Sequence, residues 1–562
     1  MRLLRFLCYN GYMNKKVSKF LTSFIIYLSI AFCSVLTLAT FFLTTNDGDY
    51  GHKNLETSFA PYIAFGIIIF TMLLAVRPVR RFFNTINLKF LYKCVFIWGL
   101  VMSVSWIFIA DVLPMWDSMD LVYAADWINQ NTGGVTASWF NNEMAQPIAA
   151  GKWSAGSYME RYPYQTPIAM LVFLCMKFAG SNFIVFFEIL NCLACAFTMY
   201  FIVKYTHELF KNKTATSISA LLIMLFAPLI LYCTFIYGNV LCLPFAIVCL
   251  YFEKRGLDLA LSKKSSEHKH IIYIAASIIC GAISVILKSP MLFFVVAAAV
   301  VYVIWAIQHK RYIYFATALA SVLIANYAIL PINSVVGALT KQNLNNGTPT
   351  ITWITMGVGG GKEYIADKTE NEEERTDIEN AGYYDGFPWV LSDSEYSPEN
   401  MKNVSGEYLK KRLEHYANDP GLALSYFGRK LTIEWTEPTF ESLLASNWDS
   451  ANPITGYNMS TRPYTPIAKS VYYGKARTIL IYLMDCLQTI IPIGVVICFL
   501  KLRKKLNITQ LGATIYVLGI FVVYLFWENK TQYMFPAFIA MIPYAGIGWY
   551  FIVEKVLKLL KK

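Results

Sequence analysis

Apolar runs long enough to cross a bilayer recur at about 20–43, 61–76, 94–110, 183–203, 216–236, 239–253, 271–287, 290–307, 312–332, 477–500, 509–527 and 534–553, which predicts twelve transmembrane helices. Short polar stretches separate them, and basic residues gather in alternate ones: RPVRR (77–81), KNK (211–213), EKR with KK (253–264), HKR (309–311), KLRKK (501–505) and the tail EKVLKLLKK. Lys and Arg concentrate in cytoplasmic loops, so these stretches and the basic N-terminus are assigned to the cytoplasm, with both termini inside. The alternation then puts 44–60, 111–182, 237–238, 288–289, 333–476 and 528–533 outside. Thr166–Ala179 (TPIAMLVFLCMKFA) is apolar but, at about 14 residues, short for a span. Making it a span would place the later basic clusters outside, so the sequence predicts an interfacial helix paired with one beginning near Asp117.

The chain thus divides into an N-terminal transmembrane module over 1–332, with a first exterior loop at 111–182, a large exterior segment at 333–476, and C-terminal transmembrane helices over 477–562. The exterior segment carries 19 of the 36 acidic residues, too many for a membrane-embedded stretch, and is too long for a linker. Within it, DKTENEEERTDIEN (367–380) reads as a solvated loop. GVGGGKEY (357–364) lacks the ending of a phosphate loop and reads as a flexible turn. The expected fold class is an all-α polytopic membrane protein of about 12 helices, with exterior interfacial helices and a mixed exterior loop domain.

Composition agrees. Of 562 residues 56% are hydrophobic, and the mean hydropathy is +0.45, which excludes an ordinary soluble protein. The formal charge of +12 falls in the alternating loops, so it reports topology and contact with the lipid bilayer; no nucleic acid is implied. Most of the 12 cysteines, such as Cys192 and Cys249, sit in apolar runs without motif spacing, and neither disulfides nor a metal site is inferred. The N-terminus lacks a small-residue cleavage site after its first apolar run, so Phe20–Leu43 is read as a retained helix.

Candidate chemistry lies on the exterior side. In PMWDSMDLVYAADWIN (114–129), a helix starting at Asp117 places Asp117, Asp120 and Ala124 on one face and Leu121, Ala125 and Ile128 on another. That is the pattern of a helix lying on a membrane with its acids upward. An Asp at a helix start also serves as an N-cap, and both readings stand. Lys288 is a lone exterior lysine between two spans, read either as a phosphate ligand or as a snorkelling helix-end residue. Arg429 and Lys430 flank aromatics in YFGRKLTIEW, and WENKTQYMFP (527–536) puts Glu528 and Lys530 on an exterior turn. Asp485 and Glu188 lie within spans, Glu188 near enough to the outer end to reach water. Carboxylates facing cations across an exterior shelf suit transfer from a lipid-anchored phosphodiester: a carboxylate takes a proton from an acceptor hydroxyl, and Lys or Arg stabilises the departing phosphate.

These residues resemble the C-type (GT-C) membrane glycosyltransferases, most closely the bacterial, Gram-positive members of the protein O-mannosyltransferase-like and aminoarabinose-transferase-like families. Their first exterior loop reads Asp-x-x-x-(Val/Phe)-Tyr-x-Ala-Ala and then Tyr-Pro-x-Gln. Here Asp117 is followed by Val122, Tyr123, Ala124 and Ala125, with Val-Tyr displaced by one, and Tyr162, Pro163, Tyr164 and Gln165 match the second part. Lys288 falls where an Ile-Lys-Pro/Ser-like motif is common. WENKTQYMFP is similar to Glu-x-x-x-Arg-Tyr-x-x-Pro, with Gln532 in place of Arg; FIYGN (235–239) lacks the Asp of the family's Tyr-Thr-Asp. The resemblance implies a GT-C fold, a polyprenyl-phosphate-linked sugar donor, a cell-envelope acceptor (polymer, lipid or protein) and inversion at the anomeric carbon. It implies Asp117 as base, with Asp120 as reserve or as an acceptor-orienting or metal-binding partner. Lys288 and either Arg429 or Lys430 would hold the phosphate, and Arg161, Tyr162, Gln165 and Glu528 would line the pocket, with Arg161 equally placed to pair with Glu160 at the surface. No cofactor is certain; the Asp-x-x-Asp pair neither requires nor excludes a divalent metal ion. A lipid-linked glycan flippase and an envelope polysaccharide polymerase are the competing readings: the first calls for polar or broken helices at mid-membrane, the second for exterior Arg and His.

Overall fold

A computed structural model describes residues 11–47, 53–114, 117–134, 155–262, 269–344, 346–395, 397–445 and 464–560. Arg2, Arg5, Lys263, Lys264, Lys561 and Lys562, counted above among the basic residues, lie outside them. The chain is a mostly helical polytopic membrane protein. Its first group of helices is α1 (Gly11–Phe42), α2 (Ala60–Ala75), α3 (Arg77–Thr85), α4 (Leu88–Ala110), α5 (Asp117–Asn131), α6 (Ala155–Arg161), α7 (Thr166–Ala179), α8 (Phe183–Phe210), α9 (Lys213–Leu225), α10 (Leu243–Leu261), α11 (Lys269–Leu287), α12 (Leu292–His309) and α13 (Ile313–Tyr327), with α5 to α7 forming the first large loop. A second group follows: α14 (Leu330–Thr340), α15 (Thr350–Gly357), α16 (Gly360–Thr369), α17 (Phe387–Glu395), α18 (Pro398–Asn418), α19 (Pro420–Thr436) and α20 (Pro466–Tyr473). The chain ends with α21 (Lys475–Leu502), α22 (Gly512–Tyr524) and α23 (Phe535–Leu559).

A helix occupies each of the twelve apolar runs, but fewer of them suffice to cross a membrane. Among the described residues 8 are long and apolar enough, or up to 10 if each bent pair counts as one span. The runs at 239–253 and 509–527 fall short: α10 carries Glu253, Lys254, Arg255 and Asp258 in its second half, and α22 has only 13 residues. Large apolar side chains such as Phe20, Phe65, Val101, Ile272 and Leu319 stand exposed on the bundle's outside, where hydrocarbon takes the place of water. The tightest crossing is between α21 and α23. A Cβ on Gly548 would overlap the carbonyl oxygen of Gly494, and Trp549 Nε1 donates to Ile490 O at 2.9 Å. Small residues allow such close backbone approach between membrane helices, where no water-driven force holds them together.

The connecting segments sort into two sets, matching the charge alternation. At the basic end Ser18 bonds Gln308 at 3.5 Å, Thr214 bonds Asn84, Gln510 Nε2 donates to Leu209 O at 2.6 Å, and Thr509 reaches Asp258 at 3.4 Å. At the other end the segments around 165, 237, 288 and 528–533 meet one another, as described below.

Three expectations change. The segment 44–60 contains an antiparallel hairpin, Leu43–Asp47 against Lys53–Thr57, inside a fold read as all-α. It is wedged into the protein: Thr44 donates to Asp485 Oδ1 at 2.9 Å, and the fully buried Lys53 pairs with Glu441 at 2.8 Å. Asp485 thereby gains a partner, whereas Glu188 is buried and does not reach water. The stretch 367–380 is solvated as expected and is also anchored: Arg375 pairs with Glu363, Asp367 and Glu372, and Glu363 also accepts from the buried Arg412 at 3.0 Å. The Gly-rich stretch is a tight crossing between α15 and α16, because side chains at Gly357 and Gly361 would strike the Trp527 backbone and the Asp385 carboxylate.

Replacing Gly548 by Val is expected to lower the thermal unfolding midpoint in lipid nanodiscs, since overpacking costs ~1–3 kcal/mol and here involves backbone on both sides. An unchanged midpoint would contradict the tight α21–α23 crossing.

Candidate functional site

The site is assembled from four connecting segments. The first is α5, whose opening turn carries Asp117 and Asp120. Instead of lying on a membrane with one oily face, α5 is enclosed: Leu121, Val122, Ala124, Ala125 and Ile128 have no exposed surface, and Asp126 and Asn129 on other sides are also buried. The enclosing elements are α6, α7 and α14, which a single helix's periodicity does not reveal. The second part of this loop turns at Pro163, whose fixed φ suits the 3-10 turn Pro163–Gln165. There Tyr162 is packed among the rings of Tyr158, Tyr164, Trp353 and Trp389 at 5.2 to 6.2 Å between centres. Gln165 donates its side-chain amide to the Tyr237 hydroxyl.

Tyr237 belongs to the second segment, 235–239. Gly238 there is pressed against the Leu287 carbonyl, where a Cβ would overlap, so this turn can seat itself on the third segment at 287–289. That contact brings Lys288 Nζ to 4.0 Å from the centre of the Tyr237 ring and 5.8 Å from that of Tyr533, a cation–π arrangement. The fourth segment is 527–533. Tyr533 donates to Glu528 Oε2 at 3.0 Å, Lys530 Nζ stands 3.5 Å from Glu528 Oε1, and Gln532 Oε1 accepts from Asn239 at 2.9 Å. The segment is clamped from outside: Thr531 donates to Glu437 at 2.9 Å and Asn529 N to Gly382 O at 2.7 Å.

Asp117 lies close enough to act electrostatically on Lys288, Lys530, Glu528, Tyr162, Tyr164, Tyr237 and Tyr384. Burial pushes the Lys288 ammonium down to about 7, only partly offset by Cys242, Asp117 and Glu528. Burial also opposes the charge of Lys530, but Glu528 and Asp117 outweigh it and hold the ammonium firmly protonated. The Asp120 carboxyl is raised well above its usual range by burial and then by the Asp117 charge, and Glu528 is raised by burial against the pull of Lys530 and Tyr533. The surrounding phenols of Tyr158, Tyr162, Tyr164, Tyr237, Tyr384 and Tyr533 are all shifted up, chiefly by burial, and stay neutral.

Of the residues singled out in the sequence, Asp117, Asp120, Tyr162, Gln165, Lys288 and Glu528 therefore come together. Three do not join them. Arg161 lays its guanidinium over Trp389 at 4.3 Å. Arg429 donates to the backbone carbonyls of Glu379 and Lys53. Lys430 is fully buried, with Nζ given to Gly357 O at 2.6 Å and to Trp527 O, so it braces the fourth segment from behind. Lys530, Tyr237, Tyr384 and Tyr533 are site residues the sequence reading did not choose. Lys530 carried the same signal as Lys288, a cation on an exterior turn, while the tyrosines carried none that distinguishes them from interfacial aromatics. Among the described residues no three His, Cys, Asp or Glu side chains converge as metal ligands.

The fold and site define a multi-pass helical membrane protein with a half-buried cluster of opposite charges at the end opposite its basic loops. No family model and no curated protein matches the chain. Among solved structures it is similar to the archaeal oligosaccharyltransferase AglB from Archaeoglobus fulgidus in complex with an inhibitory peptide and a dolichol-phosphate, with a TM-score of 0.41 and 11% identity over 84% of this chain and 52% of that one. The apo form of the Archaeoglobus fulgidus oligosaccharyltransferase gives a TM-score of 0.38 and 12% identity over 84% and 52%. The form tethered to an acceptor peptide gives 0.40 and 11% over 83% and 50%. The chain spans about half the length of these structures.

With its amine shifted to about 7, Lys288 is expected to react with dinitrofluorobenzene half-maximally near neutral pH, whereas an ordinary lysine does so near about 10.4. Peptide mass spectrometry after brief labelling from pH 5 to 11 reads this; a Lys288 midpoint with the ordinary lysines would contradict the burial described.

Proposed function

We propose that the chain is a glycosyltransferase of the GT-C kind, moving a sugar from a polyprenyl-phosphate-linked donor to a cell-envelope acceptor on the outer face of the plasma membrane. The observation that carries this reading is the meeting of Asp117 with Lys288 and Lys530 among a group of tyrosines, at the end of the bundle away from the basic loops. By the positive-inside rule that end is extracellular and both termini are cytoplasmic. The divisions at 1–332, 333–476 and 477–562 are proposed as a transmembrane module with the first catalytic loop, an exterior domain and closing helices.

In this reading the acceptor hydroxyl gives its proton to Asp117 as its oxygen attacks the anomeric carbon. The bond from that carbon to the donor phosphate oxygen breaks, and the polyprenyl phosphate leaves with the electron pair. Lys288 and Lys530 face the growing phosphate charge, where ammonium groups in a pocket shielded from water stabilise it more than they would in bulk. The Asp120 carboxyl is raised by burial and by the Asp117 charge and is assigned to orient the acceptor, while Asp117, which acts on both Lys288 and Lys530, is assigned as the base. Tyr162, Gln165 and Tyr237 form the wall beside them. Lys430 and Arg429 are assigned no contact with donor, since their polar groups are already committed to backbone.

Purified protein in lipid nanodiscs, offered a panel of radiolabelled polyprenyl-phosphate sugars with envelope acceptors, is expected to transfer at least one sugar. Asp117→Asn is expected to slow that transfer by about two orders of magnitude or more, the scale of a lost general base. A folded Asp117→Asn protein that transfers as fast as the parent would remove Asp117 from the mechanism. A parent that turns over no donor but moves lipid-linked glycan between leaflets would replace the transferase with a transporter.

A further inference from the structure

A cleft of about 200 Å³ lies beside the site, lined by Glu160, Arg161, Asn343, Asn346, Thr348 and Ser392, with Pro398 and Met401 at its apolar side. Its rim is the loop after α14. Thr348 N donates to Arg161 O at 2.8 Å, and Gly347 is pressed onto the Pro163 ring, where any Cβ would clash. The loop is therefore pinned to the same short strip, 158–165, whose Tyr162 and Gln165 border the pocket holding Asp117. A molecule in the cleft is one residue along the chain from that pocket.

Resting on the transferase reading, we infer that this cleft holds the acceptor and that the acceptor is a neutral polyhydroxylated chain, that is, a saccharide. The lining supplies what sugar hydroxyls use: the amides of Asn343 and Asn346 and the hydroxyls of Thr348 and Ser392 both donate and accept. Met401 and Pro398 offer an apolar surface for the C–H face of a ring. The two charges, Glu160 and Arg161, are of opposite sign, and the guanidinium is stacked on Trp389, so the cleft has no net positive field for a polyanion. An anionic polymer would meet the Glu160 carboxylate without a compensating cluster of cations, and a lipid acceptor would find a mouth rimmed by the exposed Asn343 and Asn346. A small cleft of this kind, largely apolar with a few polar groups placed on one side, discriminates by hydrogen-bond pairing.

The test is saturation-transfer NMR on the full chain in nanodiscs, with a neutral oligosaccharide panel (chitotetraose, cellotetraose, maltotetraose), tri(glycerol phosphate) and a Ser/Thr-rich peptide as separate probes. The expected result is binding of at least one oligosaccharide in preference to the other two probes. Asn346→Trp, which fills the cleft from its exposed rim, weakens that binding by about tenfold or more, the effect of losing two or three hydrogen bonds. Asn343→Ala, a smaller change on the same rim, weakens it less, and thermal melting confirms that each variant folds. No binding of any oligosaccharide by the parent, preference for the polyanion or peptide, or parent-like affinity in both folded variants would overturn the assignment. Binding is read without turnover, so its failure is separate from that of the donor assay.

Discussion

A carboxylate buried at the end of an apolar bundle is stable only if cations and hydrogen-bond donors are buried with it, because desolvating an unpaired charge costs more than packing returns. That constraint shapes the whole non-basic end of this protein. Asp117, Glu528 and Glu441 lie near one another, and Lys288, Lys530 and Lys53 come from three different connections to meet them. Remove the requirement for charge matching and nothing obliges the turns at 237, 288 and 528–533 to converge on the loop that follows α4.

Close backbone contact then fixes how the turns converge. Gly238 against Leu287 O and Gly357 against the Trp527 backbone allow approaches that a Cβ would block, and Lys430, bonded to both Gly357 O and Trp527 O, locks the second of these. The hairpin does the same on the opposite flank through Lys53 and Glu441. Phe440 and Glu441 both hold positive φ, 53° and 59°, a strained conformation for residues with side chains. The carboxylate of Glu437 offsets it by accepting from Thr439 N and Glu441 N at 2.8 and 2.6 Å. The helices between α14 and α20 thus act as a brace behind the charged cluster.

How much of this was legible in the sequence depends on whether one segment suffices to decide a feature. Long apolar runs declared the membrane helices, and alternating basic clusters separated the two ends, because both signals are local. Lys288 stood out because a lone cation between two spans has no topological reason to be there. The enclosure of α5 was not legible: its acids and apolar residues alternate as on a surface helix, and only the arrival of α6, α7 and α14 buries both faces. Lys430 misled for the same reason. Its charge is visible in the sequence, whereas the two carbonyls that claim it come from residues 73 and 97 positions away. The Gly-rich stretch at 357–361 shows the converse, since glycine signals freedom locally and close packing once the segments carrying Trp527 and Asp385 are in place.

The central claim is that Lys288 and Lys530, brought together by these turns, hold a lipid phosphate in front of Asp117. Native mass spectrometry of the nanodisc-derived protein with a polyprenyl phosphate measures it most directly, comparing the parent with the Lys288→Gln, Lys530→Gln double variant. The account requires one bound polyprenyl phosphate on the parent at pH 6, released from the double variant at the same lipid concentration and weakened in the parent above pH 8 as Lys288 loses its proton. Equal retention by the parent and the folded double variant would contradict it.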